Sequence, residues 1–157
     1  MLRKIGRPLT GLVALILMLA PAVARSAEDQ SRPFTANIAV VGTGFPCGTY
    51  TATGTATHLG AITESGTYCV VEILGPGLVH LAGEGTQTAA GGDSLSFTFD
   101  EVANFNVNPL TAAGTFAVTG GTGRFTNATG GGTFATTGTA SGDTFTLNIT
   151  YTGAITY

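Results

Sequence analysis

The sequence predicts an all-β domain built from eight short antiparallel strands joined mostly by hairpins. Three observations predict it. From Phe34 onward, apolar and polar residues alternate with a period of two along almost every segment. The polar partners are mainly threonine, interspersed with glycine, a composition that favours strands over helices, and no helical period of useful length occurs. Short glycine-rich or proline-containing turn signals then cut the alternation into lengths typical of strands.

Taken in order, the runs between turn signals place strands at 34–42, 49–58, 66–74, 78–89, 94–101, 114–120, 132–140 and 144–156. In "SLSFTFD" (94–100), Leu95, Phe97 and Phe99 share one face, and Ser94, Ser96, Thr98 and Asp100 the other. "DTFTLNITYTG" (143–153) repeats the pattern with Phe145, Leu147, Ile149 and Tyr151. "GFPCG" (44–48), "AGGD" (90–93) and "SGD" (141–143) have the length and composition of hairpin loops. The longest irregular stretch, "VANFNVNPLTAA" (102–113), is the expected rim loop or lid. Two strands carry unusually small residues on the apolar face: Tyr50, Ala52, Gly54 and Ala56 in one, Phe134, Thr136, Gly138 and Ala140 in the other. Small residues between aromatics suit the inside of a narrow barrel, where side chains share a limited volume. A sandwich also fits eight such strands, whereas a β-solenoid requires a fixed repeat period that the chain lacks.

The first residues read as an export signal. Arg3, Lys4 and Arg7 precede the apolar run "GLVALILMLA" (11–20), which is too short to span a bilayer, and Ala22-Val23-Ala24 offers a small-x-small cleavage site. The expected organisation is a signal peptide at 1–24, a short flexible leader at 25–33 and one domain at 34–157, secreted or periplasmic. Cleavage would leave three basic and nine acidic residues, a net charge of −6, with no lysine. That balance argues against nucleic acid and anionic membrane as partners, since both demand basic patches. Outside the cytoplasm, the two cysteines Cys47 and Cys69 are expected to form a disulfide, two isolated buried thiols being the alternative.

"TGGTGRFTNATGGGTF" (119–134) resembles the G-G-T-G-x-F-x-x-A-x-G signature of the allene oxide cyclase and dirigent barrel superfamily, and "GTATHLGAIT" (54–63) is similar to a segment of its exported bacterial members. The resemblance spans residues 34–157. It implies a calycin-like, eight-stranded antiparallel barrel with an apolar central cavity. Plant relatives use that cavity either to cyclise a fatty-acid epoxide or to steer the coupling of phenoxy radicals, with no metal or organic cofactor. Their catalytic residues lie outside the glycine motif, so no catalytic residue is carried over to this chain. Related barrels form dimers or trimers, which implies a homo-oligomer.

The residues themselves supply few sites. In "GGTGRF" (120–125), Gly120, Gly121 and Gly123 with Phe125 read as a structural turn, because no helix follows to make a phosphate cradle. Arg124 is the only cation after Pro33, and it either pairs with a carboxylate or meets a ligand. His58 and His80 lie in apolar strand surroundings; Glu84 shares the face of His80, but no third ligand stands at metal-site spacing, so no metal is expected. Parity places Glu72 with Tyr68, Val70 and Leu74, where burial in an apolar lumen would raise its pKa and equip it as an acid or base. Tyr68, Glu72, His58, His80 and Arg124 are therefore the ligand-binding candidates. No Ser/His/Asp or Cys/His arrangement and no carboxylate pair points to a particular reaction. The expectation is a barrel that binds an apolar or aromatic small molecule without cofactor. The alternatives are a cofactor-independent cyclase or dirigent-like enzyme, and an extracellular structural or oligomerising module with a filled barrel.

Overall fold

The computed structural model describes residues 30–157. The expected export signal and residues 25–29 of the expected leader lie outside the described residues. Eight strands follow in order: β1 (Arg32–Thr43), β2 (Cys47–Ala56), β3 (Gly60–Gly75), β4 (Leu78–Ala89), β5 (Ser94–Asn104), β6 (Leu110–Gly121), β7 (Thr129–Ser141) and β8 (Thr144–Thr156). Each pairs antiparallel with the next, and β8 returns to β1 from Arg32↔Ile155 to Thr43↔Thr144, so the sheet closes as an up-and-down barrel with no free edge.

The period-two pattern becomes lumen and wall. Leu95 and Phe97, Tyr50 and Ala52, Ile149 and Tyr151 are buried inside, while the intervening threonines of β2, β7 and β8 face outward. This is the reverse of a membrane-spanning barrel, whose outer face is apolar. Among the described residues no helix is long and apolar enough to cross a membrane.

Three features differ from the sequence expectation. Strand β3 begins at Gly60, six residues early, because "GAITES" pairs with the end of β2 from Ala56↔Gly60 to Thr51↔Ser65. The expected long loop at 102–113 shrinks to 105–109: β5 and β6 pair as far as Asn104↔Thr111, leaving only "FNVNP" outside the ladder. Arg32 and Pro33, placed in the leader, already belong to β1.

The two ends of the barrel differ. At one end the 94-side of β5, the 121-side of β6 and the two chain-terminal strands converge, and a single 3-10 turn (Gly123–Phe125) folds across the opening. Phe125 is wholly buried there, its ring 4.6 Å from that of Tyr157, and it joins Phe34, Leu95 and Ile155, all nearly or fully buried. Gly120 and Gly123 have φ of +134° and +59°, conformations that side chains other than glycine's rarely tolerate, and a Cβ on Gly123 would collide with the Asp93 carboxylate. The glycine motif is thus the geometry that swings Phe125 into the barrel as a stopper.

At the other end lie the turns 44–46, 76–77, 105–109 and 142–143. Main-chain bonds hold them in place: Gly44 N–H to Asp143 O (2.9 Å) and Phe105 N–H to Gly77 O (2.7 Å) join turn to turn, and Val70 N–H to Pro46 O (2.8 Å) fastens the first turn to β3. A disulfide joins Cys47 to Cys69, which are direct partners across β2 and β3 with Cα atoms 4.0 Å apart. Of the two readings of these cysteines, the bridged one holds.

Candidate functional site

The half of the lumen below these turns is hollow. A cavity of about 360 Å³ runs inward from the rim, a size within the roughly 300–1,000 Å³ of small-molecule pockets. Its existence follows from side-chain volume. An eight-stranded barrel is just wide enough for its own side chains to fill it or for one small ligand to replace them. Toward the mouth the inward positions of β5, β6 and β7 include Ala103, Ala112 and Ala140, whereas toward the closed end β5 and β6 carry Leu95, Phe97 and Phe116, the last opposite Gly132 of β7.

The walls are largely aromatic. Tyr50, Phe99, Phe134 and Tyr151 form a connected set at the floor, with ring centroids 6.2 Å apart for Tyr50 and Phe99, 6.1 Å for Phe99 and Phe134, and 5.3 Å for Phe134 and Tyr151. Nearer the rim, Tyr68 and Phe145 meet edge to face at 5.5 Å, and the Tyr68 hydroxyl donates to the Gly44 carbonyl. The Tyr50 ring lies over Gly66 and Gly85, where any Cβ would overlap its phenol, so glycine on β3 and β4 is what lets this tyrosine lie along the inner wall across both strands. Phe45 and Phe105 flank the mouth, 66% and 48% exposed.

Polar groups in the lumen fall into two sets. Deeper than the cavity, Glu64 is buried; Gln87 Nε2–H donates to its Oε2 at 2.8 Å and the Tyr151 hydroxyl donates to its Oε1 at 3.3 Å. Burial raises the Glu64 pKa, and these hydrogen bonds oppose the rise. Burial, reinforced by the Glu64 charge, also holds the Tyr50 and Tyr151 hydroxyls protonated.

The second set faces the cavity. Two of its lining residues carry a buried atom without a hydrogen-bond partner, Glu101 Oε2 and Thr136 Oγ1, whereas the Tyr50 hydroxyl lies against Gly66 and Gly85 and turns toward Glu64. Buried polar atoms without partners are uncommon and costly in a folded protein, and here two belong to residues that line one apolar space. Glu101 sits on β5 three residues inside Asn104, about 10 Å along a strand of ordinary rise. Burial alone pushes its carboxyl up from the usual value to about 7. Among the described residues no lysine, arginine or histidine lines the cavity, and a second acid, Asp143, stands at its mouth. Burial, and then the Asp143 charge, raise the Tyr68 pKa.

Of the residues expected from sequence, the structure brings only Tyr68 to this site. Glu72 lies elsewhere, for a definite reason. Its parity with Tyr68 and Val70 is broken by a β-bulge: Val70 pairs with Leu81 but Glu72 pairs with His80, leaving Val71 as the extra residue, and the slip turns Glu72 to the exposed outer face. His80 is also on the outer wall, bonded through Nε2 to Asp100 Oδ1. His58 is not in a strand; it occupies the β2–β3 turn with φ +69° and bonds through Nε2 to the Pro33 carbonyl at 2.8 Å. Arg124 lies at the closed end, its Nε 3.4 Å from Asp93 Oδ2 and a terminal N–H donating to the His58 carbonyl. Among the described residues no group of three or more His, Cys, Asp or Glu is placed to hold a metal ion.

The two lumen acids were missed by the sequence reading for different reasons. Glu101 continues the inward series Leu95, Phe97, Phe99, and carrying the parity one step further would have found it. Glu64 falls between the strands expected at 49–58 and 66–74, in a stretch that the structure makes the start of β3. No family model, no curated protein and no solved structure matches the chain.

Proposed function

We propose that this protein is an exported small-molecule carrier or receptor of the allene oxide cyclase and dirigent type, which holds an apolar or aromatic ligand in the open half of its lumen. The observation that carries the reading is the cavity itself: apolar and aromatic walls around a few polar atoms left without partners, the composition expected where a ligand completes the hydrogen bonding. A lumen hollow over half its length counts against the structural module with a filled barrel. The family assignment is supported by the eight-stranded closed architecture and by the position of the glycine motif, which caps the barrel between β6 and β7. Export is supported by the disulfide, a bond characteristic of oxidising compartments.

One observation favours a second reading, a cofactor-independent enzyme. Glu101, with a pKa of about 7 in an apolar chamber, is poised to take up or deliver a proton near neutrality. Such an enzyme would lose turnover in Glu101→Gln while still filling its cavity.

The test is a titration with Nile red, an uncharged apolar fluorophore, against the protein and its Ala112→Phe variant, in which a ring would occupy the cavity. Saturable uptake by the parent, weakened about tenfold or more in the variant, is expected. No uptake by the parent, or equal uptake by both, would overturn the reading.

A further inference from the structure

The lumen reading leaves open which apolar molecules the cavity prefers, and its electrostatics are one-sided. Among the described residues, the ionisable side chains that line the cavity are acids: Glu101 within it, Asp143 at its mouth, and the phenols of Tyr50, Tyr68 and Tyr151. The elements packed around Glu101 add no cation. From β4 the cavity receives Val79 and Leu81, from β6 Leu110 and Ala112, from β7 Phe134 and Thr136, and from β1 Val40. His80 and Glu84 of β4 point outward. Glu64 of β3 lies in the deeper polar layer with Gln87 and Tyr151. A ligand carboxylate would enter this space without a counter-charge and against two acids. An ammonium group would meet an unpartnered carboxylate oxygen and the faces of electron-rich rings, which attract cations most strongly when water is excluded.

We infer that the cavity selects a lipophilic amine, an aryl- or alkylammonium whose nitrogen pairs with Glu101 while its hydrocarbon body lies among Tyr50, Phe99, Phe134 and Tyr151. This rests on the lumen reading above and narrows it. Charge balances in either protonation state. If the amine arrives as the cation and Glu101 is protonated, the carboxyl proton leaves to solvent; if the amine arrives neutral, that proton passes to its nitrogen. Binding is therefore linked to pH. Glu101 is ionised above its pKa of about 7 and protonated below it. An alkylamine, like a lysine side chain, stays protonated throughout. Affinity for the amine is highest on the alkaline side and falls as pH drops through neutrality.

The experiment uses three probes of nearly equal size and different charge: 4-phenylbutylamine, 4-phenylbutanol and 4-phenylbutyrate. Each competes against Nile red on the intact protein, on Glu101→Gln and on the outer-wall control Glu84→Gln. At pH 8 the amine is expected to bind about tenfold or more tightly than the alcohol, and the alcohol more tightly than the acid. The amine's affinity should fall about tenfold or more between pH 8 and pH 5 while the alcohol's stays level. Glu101→Gln should abolish both the preference and its pH dependence; Glu84→Gln should preserve both. If Nile red and the alcohol bind but the amine binds no better, or if its preference survives in Glu101→Gln, the amine assignment is overturned and the lumen reading stands. If Nile red itself does not bind, the lumen reading fails and takes this inference with it.

Discussion

The two halves of this barrel are made from the same eight strands and the same alternation, yet one is solid and the other hollow. In the closed half, Phe34, Leu95, Phe116, Phe125 and Ile155 are all buried, and the buried acid there, Glu64, has hydrogen bonds from Gln87 and Tyr151, although Gln87 Oε1 itself has no partner. In the open half, alanines replace the large side chains at the rim, the aromatic rings line a space instead of filling it, and Glu101 has a buried oxygen with no partner. The closed half is organised for stability. The open half carries costs that stability alone does not explain, and such costs are what a binding site is expected to show.

The sharpest way to break that comparison is to remove the stopper. Phe125→Ala should destabilise the protein by about 3–5 kcal/mol, the range for deleting a buried aromatic ring, read as the change in unfolding free energy in urea. A loss below about 1 kcal/mol would mean that the closed end is not packed as described. The mouth has less packing to rely on, so its covalent tie should matter more. Replacing Cys47 and Cys69 with serine should cost about 3 kcal/mol on the chain-entropy account of a loop with a sequence separation of 22. Amide hydrogen exchange should then quicken around residues 44–48 and 68–70 before it quickens near Phe125; uniform quickening would contradict the division into halves.

Glu101 offers a test with a definite sign. Its folded pKa of about 7 lies above the ordinary carboxyl value of 4.5, so the folded state holds the proton more tightly than the unfolded chain does. Stability is greatest below pH 4.5 as far as this group is concerned, falls as pH rises from 4.5 to 7, and stays low above; the full loss is about 3 kcal/mol at most. Glu101→Gln should therefore be more stable than the parent at pH 8 and nearly equal to it at pH 4.5, measured by urea unfolding at both. A variant less stable at pH 8 would show that the carboxylate has a partner. Arg124→Ala should matter least. Its pair with Asp93 is largely solvent-exposed, and its loss should cost no more than about 1 kcal/mol and leave Nile red uptake unchanged.

The fold was largely legible in the sequence, and the reason is physical. Inside a closed barrel every strand has one dry and one wet face, so alternation at Leu95, Phe97 and Phe99 or at Phe145, Leu147 and Ile149 translates directly into lumen and wall. The glycine motif was also legible as a turn, although its effect of placing Phe125 across the barrel end needed three dimensions. The site was legible only in part. Tyr68 follows from parity, but Glu72 is turned outward by one extra residue in β3, an event with no local signature in "TYCVVEIL". Glu101 was within reach of the same parity rule, as the last residue of the strand expected at 94–101 and on the face of Leu95, Phe97 and Phe99. What alternation cannot reveal is volume. Nothing in the pattern distinguishes a lumen that alanines leave empty from one that phenylalanines fill from the opposite strand.

The open half is an apolar cavity whose acid, Glu101, has a buried oxygen without a partner. The most direct measurement is a carbon-detected NMR titration of the Glu101 carboxyl in the ligand-free protein, assigned by comparison with Glu101→Gln. A midpoint near pH 7 is expected. A midpoint near the ordinary value of about 4.5 would mean that the carboxylate is hydrated or paired, and would contradict a buried oxygen without a partner.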